Sequence, residues 1–347
     1  DFHRKLTMPS KEFIKLFGPA RKKDSEVNKH HQDMAASLQA LTEEVVLKML
    51  NALHKETKMD NLVMAGGVAL NSVANGKILR NTPFKNIYIQ PAASDAGSAI
   101  GVCLWIYNCI LGKPRVYQQT HAYYGPSFSD AEVKAFLDEH KVNYEEAKTE
   151  KELVDKTAKI LNGSNVIGWF QGRMEWGPRA LGARSILSNP SDPEMQNILN
   201  LKVKHREKYR PFAPVVCVDD ALTYFDCDKP VPSPTDYMLM VYPIKKKWHK
   251  KIPAVTHVDG SGRLQSIRRP QNPRYYDLLK AFGKLSGIPI LINTSFNIRG
   301  EPIVCTPFQA YRCMMGTGID YLVVGKFIIP RAANPQHQWD SESLAKD

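Results

Sequence analysis

The chain has 347 residues, and its 47 lysines and arginines outnumber its 35 aspartates and glutamates, which gives a formal net charge of +12. A hydrophobic content of 43% and a charged content of 24% are ordinary for globular proteins and exclude disordered and collagen-like chains. No apolar run approaches the ~20 residues of a membrane-spanning helix. At about 150 residues per domain, the length predicts two domains.

The excess of positive charge indicates anionic partners, among which composition does not distinguish nucleotides, phosphorylated substrates, nucleic acid and a membrane surface. The six cysteines contain no Cys-x-x-Cys pair. This predicts reduced thiols, no zinc site and a cytoplasmic protein.

The first third of the chain, after a basic and irregular start over residues 1–29, alternates helices and strands. Apolar residues at three- and four-residue steps predict a helix over 30–58. Buried strands are predicted over 61–65 and 86–90, each followed by a turn or loop that opens a helix, the first of them over 69–79. This order of elements predicts an α/β fold.

Residues 114–127 carry glycine and proline breakers and predict a linker. Ser129 and Thr149 are each followed three residues later by a glutamate, a capping box that predicts the start of a helix. Further strands are predicted over 165–170, 212–218, 237–242, 263–267, 289–293 and 321–324, and further helices over 98–111, 192–201, 274–285 and 307–315.

Two motifs lie at the ends of the early strands. Gly66 and Gly67 let the backbone approach a ligand closely, and Asn71 follows at the helix start, where amide groups bind phosphate. A tight strand-to-helix turn explains the same residues equally well. Asp95 opens the next helix, where a helix cap is the commoner role and a metal ligand the alternative.

Three arginines, Arg173, Arg179 and Arg184, lie among three glycines in residues 172–185, directly after a predicted strand. Arginine forks bind phosphate or carboxylate in a bidentate manner, and glycines let such forks converge. Glu175 is expected to orient an arginine or to help hold a magnesium–nucleotide. We therefore predict an anion site here rather than a basic surface loop.

Three further cations, Lys204, Arg206 and Arg210, precede a predicted strand and are expected in the same anionic pocket. Basic residues at an exposed helix end are the alternative, because they offset the helix dipole. Two prolines, Pro211 and Pro214, predict an extended entry into the strand.

Two more segments are candidates. His257 and Asp259 would share one face of a strand and act as an acid–base or ligand pair, while a turn ending in Asp-Gly is an equal alternative. Residues 293–302 place hydroxyls and amides at a strand end, a pattern that suits phosphate or a small polar group. Arg299 with Gly300 favours a site there.

Five motifs in chain order resemble those of the nodulation-protein-U and tobramycin-type O-carbamoyltransferase family: residues 65–71, 90–97, 172–185, 206–214 and 293–302. The resemblance covers nearly the whole sequence. It implies that residues 1–113 are the C-terminal lobe of an ASKHA-type (actin/hexokinase-like) domain, residues 114–127 a linker, and residues 128–347 a YrdC-like domain with a twisted mixed sheet.

In such enzymes the YrdC-like domain makes carbamoyl adenylate from carbamoyl phosphate and ATP, with Mg²⁺ on the nucleotide, and releases pyrophosphate. The ASKHA-type domain, with bound Fe²⁺, passes the carbamoyl group to a hydroxyl of a small-molecule or sugar acceptor. The resemblance thus implies these partners, no membrane and no nucleic acid. It leaves open the acceptor and whether the protein forms a homodimer.

The resemblance also implies roles for residues. By motif position, Asp95 matches the metal ligand, and Gly66, Gly67 and Asn71 match the nucleotide-facing loop. The residues in segments that shape the YrdC-like pocket are Arg173, Arg179, Arg184, Lys204, Arg206 and Arg210.

The Ser-x-Asn element of YrdC proteins is matched by Ser295 and Asn297, with Gly300 as the glycine that follows it. Arg299, His257 and Asp259 complete the predicted nucleotide- or phosphate-binding set.

One feature of the family is missing from the sequence: a His-x-x-x-His metal motif. A single carboxylate without imidazoles makes a poor iron site. Together with the missing initiator methionine, this leads us to expect the C-terminal portion of a longer enzyme, which forms the adenylate and does not transfer the group efficiently.

Two rival functions differ from this one in what the protein would use or bind. Synthesis of threonylcarbamoyl-adenosine in transfer RNA would use bicarbonate and threonine. A basic nucleic-acid-binding module would bind generic duplexes with an affinity that falls steeply with salt. The lysine run at residues 245–251 is interpreted as a solvated loop.

Overall fold

In a computed structural model, residues 9–22, 25–205, 207 and 209–335 are described. The chain divides into two compact units between Lys58 and Met59. The first unit contains helix α1 (Lys11–Phe17) and helix α2 (Lys29–Thr57). The prediction of α2 is confirmed, whereas α1 was predicted as irregular, because seven residues are too few to show a helical period.

The second unit begins with two parallel strands, β1 (Asn61–Met64) and β2 (Asn86–Ile89), which are paired with each other. Helix α3 (Ser72–Asn81) connects them, and helix α4 (Ser98–Trp105) follows β2. The predicted alternation is confirmed. Helix α3 begins later than predicted, because the residues before it form a 3₁₀ turn, Gly67–Leu70.

The rest of the second unit is a nine-stranded mixed sheet in the order β3-β11-β10-β4-β5-β9-β6-β8-β7. The strands are β3 (Glu145–Glu146), β4 (Ile167–Phe170), β5 (Arg184–Ser188), β6 (Ala213–Cys217), β7 (Met240–Pro243), β8 (Ser261–Ile267), β9 (Ile290–Ser295), β10 (Tyr321–Val324) and β11 (Phe327–Pro330). The β4–β10 and β6–β8 pairs are parallel and the other pairs antiparallel. The predicted α/β class is confirmed.

Six helices accompany this sheet: α5 (Asp130–Glu139), α6 (Glu150–Asn162), α7 (Met195–Ile198), α8 (Val218–Tyr224), α9 (Pro273–Ser286) and α10 (Pro307–Met315). Ser129 and Thr149 cap α5 and α6 as predicted. The helix predicted over residues 192–201 is shorter, since a π-helical turn, Leu199–Val203, replaces its second half. Strand β5 was missed because it directly follows the glycine-rich motif.

The main hydrophobic core lies between one face of the sheet and helices α6 and α9. Trp169, Leu187, Val215 and Leu291 contribute from four neighbouring strands and are fully buried. Because side chains alternate along a strand, the residues two positions further on face the same side. Further along this same face the side chains become polar, as at Asn293, two residues after Leu291.

Helix α3 packs closely against β7 at the edge of the sheet. The side-chain amide of Asn75 donates to the carbonyl oxygens of Ala69 at 2.8 Å and Leu239 at 3.0 Å. A Cβ atom on Gly76 would lie 2.1 Å from the carbonyl oxygen of Val241. Only glycine fits at this contact, which holds β1, β2 and α3 to the sheet.

We expect Gly76→Ala to lower the free energy of unfolding by about 1–3 kcal/mol, because helix and strand must move apart to admit the methyl group. Chemical denaturation measures this change. Gly101→Ala is the matched control, since nothing lies within 4 Å of its added Cβ in α4, and it should leave stability equal or raise it. Equal effects of the two substitutions would contradict the packing described for α3.

Candidate anion site on the polar face of the sheet

The segment between β4 and β5, which we call the Arg/Gly loop (residues 171–184), folds around Glu175. One carboxylate oxygen of Glu175 accepts backbone N–H groups from Leu181 at 2.7 Å, Ala183 at 2.6 Å and Arg184 at 3.2 Å. The side chain is buried, and burial raises the pKa of Glu175. The partners shown for Glu175 are thus main-chain amides, whereas we predicted an arginine or a magnesium–nucleotide.

Arg184 is fully buried, and its guanidinium donates to four backbone carbonyls. These belong to Gln171, Gly172 and Ala183 at 3.1, 3.2 and 2.9 Å and to Pro126 at 3.1 Å. The guanidinium carbon lies 3.5 Å from the ring centre of Phe170, and burial lowers the pKa of Arg184 to about 10. These contacts anchor the loop; contact with a substrate stays a prediction.

The other two arginines differ in their surroundings. Arg173 is exposed and donates to the carbonyls of Tyr124 at 2.7 Å and Gly125 at 3.1 Å, so it ties the loop to the predicted linker. Arg179 is largely buried, and burial lowers its pKa. Within the described part of the chain, Arg179 has no hydrogen-bond or ion-pair partner, and its Nε is buried without one.

The Arg/Gly loop lies on polar side chains of the sheet. Asn293, two residues after the core residue Leu291, donates to the carbonyl of Ala180 at 3.2 Å. Gln265 on β8 donates to the carbonyl of Leu181 at 2.9 Å and accepts from Asn293. Both amides are buried. These hydrogen bonds hold Ala180 and Leu181, the two residues after Arg179, against the sheet.

The structure brings Lys204 to the Ser-x-Asn element, two candidates that the sequence marked separately. The buried Lys204 ammonium contacts the carbonyl and hydroxyl oxygens of Ser295 and donates at 2.9 Å to both the carbonyl and side-chain oxygens of Asn297. The Ser295 hydroxyl in turn donates to Asn297 at 2.7 Å. Ser295 also pairs in register with Ser185, the residue after Arg184.

Of three other predicted cations, two are exposed and one lies outside the described residues. Arg210 is exposed and pairs with Glu207 at 2.9 Å, three residues earlier, so its position in a pocket is not supported. Arg299 is exposed next to Gly300, which has a φ of 84° in the turn after β9. Arg206 lies outside the described residues.

The strand predicted through His257 and Asp259 is wrong, and the alternative turn is present. The Asp259 carboxylate accepts the backbone N–H of Ser261 at 2.9 Å, and the His257 N–H donates to the Ser261 carbonyl at 2.8 Å. Gly260 adopts a φ of 78°, which ends the turn before β8. His257 and Asp259 therefore do not share a strand face.

The structure gives supporting roles to polar residues of the sheet that the sequence did not assign to the loop: Asn293 was expected only within the polar segment 293–302, and Gln265 was not expected in the site. Asn293 and Gln265 support the loop, and Arg263 lies two residues before Gln265 and so faces the same side of β8. Polar residues at alternate positions of buried strands were the available signal.

We expect acidification to destabilise the protein partly through His257. Burial lowers the pKa of His257 in the folded state, so below pH ~6.5 the unfolded chain binds more protons than the folded one. The free energy of unfolding is therefore unaffected by protonation of His257 above this pH. It decreases as the pH falls from there towards the lowered pKa of His257 in the folded protein. His257→Gln should therefore show a shallower loss of unfolding free energy between pH 7.5 and 5.5.

The exposed His140 gives the control, since His140→Gln should keep the pH dependence of the original protein. Urea denaturation at several pH values measures these slopes. An unchanged slope in His257→Gln would contradict the expected linkage.

The two early motifs contact each other. Gly66, at a φ of 97°, donates its N–H to the carbonyl of Ala93 at 2.6 Å. Asn71 caps α3 by accepting the N–H of Ala74 at 3.1 Å. The contact shown for Asn71 thus fits the alternative of a strand-to-helix turn. Nucleotide binding by Gly66, Gly67 and Asn71 stays a prediction.

The predicted metal ligand has no companion ligands. Asp95 is exposed at the start of a 3₁₀ turn, Asp95–Gly97. Over residues 9–22, 25–205, 207 and 209–335, no group of three or more His, Cys, Asp or Glu side chains could hold a metal ion. The described residues therefore do not fit an iron centre, and the role of Asp95 as a ligand stays a prediction.

The loop after β2 also reaches the Arg/Gly loop. Gly177 adopts a φ of 130°, and a Cβ atom there would lie 3.0 Å from the carbonyl oxygen of Pro91. In addition, the N–H of Trp176 donates to Ala122 at 2.6 Å. The motif at residues 90–97 and the candidate anion site are therefore neighbours in one compact unit.

Known families match both parts of the chain. Residues 158–331 match the family described as Carbamoyltransferase C-terminus, and residues 1–104 match Carbamoyltransferase N-terminus. The matched ranges flank the segment that we predicted as a linker, although residues 59–347 form one compact unit.

Curated relatives extend this similarity. The chain is 44% identical to the uncharacterized protein sll1178 of Synechocystis, over 97% of this chain and 58% of the relative. It is 37% identical to nodulation protein NolO of Bradyrhizobium diazoefficiens, over 92% and 58% of the two chains. It is also 37% identical to nodulation protein U of Rhizobium fredii, over 74% of this chain and 41% of the relative. The chain thus spans less than two thirds of the length of these relatives.

A solved structure with some likeness is full-length HypF in the phosphate- and nucleotide-bound form, with a TM-score of 0.34 and 16% identity, over 66% of this chain and 27% of that chain. Likeness at this level says nothing about function. Among the described residues, no helix combines the length and the apolar character needed to cross a membrane.

Proposed function

The chain belongs to the carbamoyltransferase family, and from this premise we propose that its nine-stranded sheet unit forms carbamoyl adenylate. The substrates are carbamoyl phosphate and ATP, the latter bound with Mg²⁺. Water first hydrolyses carbamoyl phosphate to carbamate and orthophosphate. A carbamate oxygen then bonds to the α-phosphorus of ATP as the bond from that phosphorus to pyrophosphate breaks, which gives carbamoyl adenylate and pyrophosphate. In the whole enzyme, the carbamoyl group then passes to a hydroxyl of a small-molecule or sugar acceptor.

The observation that carries this proposal is the environment of Arg179. A cation held in a largely buried place without a partner loses much of its hydration, and an anionic ligand would compensate this loss. Glu175 is the only acidic residue of the loop, and the contacts shown for its carboxylate are to backbone amides and not to Arg179. The guanidinium of Arg179 is thus available for a phosphate.

Lys204, which follows the π-helical turn Leu199–Val203, supports the same conclusion through its contact with the end of β9. Its ammonium is buried against Ser295 and Asn297, so the Ser-x-Asn element has a fixed geometry. Cations aimed at a polyphosphate stabilise the charge that develops during phosphoryl or adenylyl transfer. Burial also protects a carbamoyl adenylate from water.

The direct test is release of pyrophosphate from ATP by the purified chain. We expect release that depends on carbamoyl phosphate. Absence of release from folded protein would contradict the proposal. Release with bicarbonate and L-threonine in place of carbamoyl phosphate would instead support transfer-RNA modification, and duplex binding without release would support a nucleic-acid module.

Group transfer is proposed for the whole enzyme only. The described residues offer no iron ligand set, so this chain is expected to accumulate the adenylate or its hydrolysis products. Efficient carbamoylation of an added acceptor by this chain alone would contradict that part of the proposal.

A further inference from the structure

A cavity of about 520 Å³ lies where four segments of the second compact unit meet. Its walls come from β2 with the residue after it, from Leu104 of α4, from linker residues 117–120, and from the 3₁₀ turn Ser233–Tyr237 with residues near the start of α9. Small-molecule sites commonly enclose ~300–1,000 Å³. We call this the linker cavity; the predicted phosphate-binding arginines and lysines do not line it.

Most residues that line the linker cavity carry a polar group beside apolar ring or chain atoms, and the lining has no net charge. Its charged residues are Asp236 and Arg268, which form an ion pair at 2.8 Å. The uncharged lining includes the hydroxyls of Tyr88, Tyr117 and Tyr237, the side-chain amides of Gln90 and Gln119, and the apolar side chain of Leu104. Phosphate sites use unpaired cations, so this lining suits an uncharged ligand with many hydroxyls.

Tyr237 offers such a ligand a hydrogen bond. Its side chain is only 5% exposed, and its hydroxyl makes no hydrogen bond to any described residue. Burial raises the pKa of Tyr237, so the hydroxyl keeps its proton and can donate. A hydroxyl that opens into a cavity and has no protein partner is available to water or to a ligand.

The linker cavity adjoins the predicted reaction centre through Gln90. The Gln90 side chain donates to Gln119 at 2.9 Å and accepts the N–H of Ala92 at 3.1 Å. The intervening Pro91 is the residue that abuts Gly177 of the Arg/Gly loop. One wall of the cavity is therefore continuous with the segment that touches the candidate anion site.

We propose that the linker cavity binds the acceptor, an uncharged polyhydroxylated molecule such as a sugar. This rests on the proposed function. In the transfer step, an acceptor hydroxyl oxygen bonds to the carbamoyl carbon, the bond from that carbon to the adenylate phosphate oxygen breaks, AMP leaves, and the hydroxyl proton passes to solvent.

The experiment measures binding of glucose, N-acetylglucosamine and AMP to the full chain by calorimetry and ligand-observed NMR. We expect at least one of the two sugars to bind. Tyr237→Phe should weaken that binding about fivefold, as loss of one hydrogen bond does, and Gln119→Leu should weaken it further. Tyr224→Phe is the matched control, because Tyr224 is also 5% exposed and does not line the cavity.

The proposal is overturned if neither sugar binds, if Tyr237→Phe and Tyr224→Phe have equal effects, or if Tyr237→Phe weakens AMP instead. Pyrophosphate release separates this inference from the proposed function. Tyr237→Phe should leave release unchanged. A chain that binds sugar through Tyr237 and releases no pyrophosphate would retain the sugar site and refute adenylate formation.

Discussion

Replacing Arg179 by alanine is expected to reduce carbamoyl phosphate-dependent release of pyrophosphate about 100-fold or more. Removal of one charged donor from a site where charge develops has effects of this size. The melting temperature should change little, because Arg179 has no partner within the described residues to lose. Arg179→Lys should restore part of the activity, since it returns the charge without the planar fork.

A matched control for this substitution is Arg269→Ala. Arg269 is exposed and pairs with Asp277 at 3.0 Å, and its loss should leave pyrophosphate release intact. Near-normal release by Arg179→Ala would remove Arg179 from the site and leave the proposal without its main support.

Replacing Glu175 by alanine is expected to lower the free energy of unfolding by about 3 kcal/mol or more and to abolish pyrophosphate release. The backbone N–H groups of Leu181, Ala183 and Arg184 would lose their shared acceptor. Each buried donor left without a partner costs about 1–3 kcal/mol. Since these amides shape the loop that holds Arg179, activity should fall together with stability.

A second substitution of Glu175 and a control substitution in α5 separate the structural effect from the effect on activity. Glu175→Gln keeps an acceptor oxygen for the amides and should retain much more stability than Glu175→Ala. Glu139→Ala, at the exposed end of α5, should be neutral. Denaturation curves and the pyrophosphate assay measure both properties, and a Glu175→Ala protein as stable as Glu139→Ala would show that the amide contacts are unimportant.

The contacts of Glu175 also show why part of the site was unpredictable from sequence. The density of arginine and glycine predicted an anion site over residues 172–185, and this stays a prediction. Which arginine is paired was decided by the fold: Arg184 reaches carbonyls of the linker and loop, whereas Arg179 reaches none. No local pattern distinguishes the two arginines, because the contacts of Arg184 depend on how the loop folds back on itself and on the carbonyl of Pro126, 58 residues away.

The sequence by itself determined the α/β class, most helices and strands, and the family, since apolar periodicity, caps and ordered motifs are local properties. It also marked Lys204 and Ser295 separately as candidate site residues, and the structure shows that the two are in contact.

Only the tertiary structure decided the order of the nine strands and the turn at Asp259. It also decided the pairing of Arg210 with Glu207 and the seating of the Arg/Gly loop on Asn293 and Gln265. Strand order and seating depend on contacts between residues distant in sequence, and competing local signals at Asp259 and Arg210 were resolved only when the chain folded.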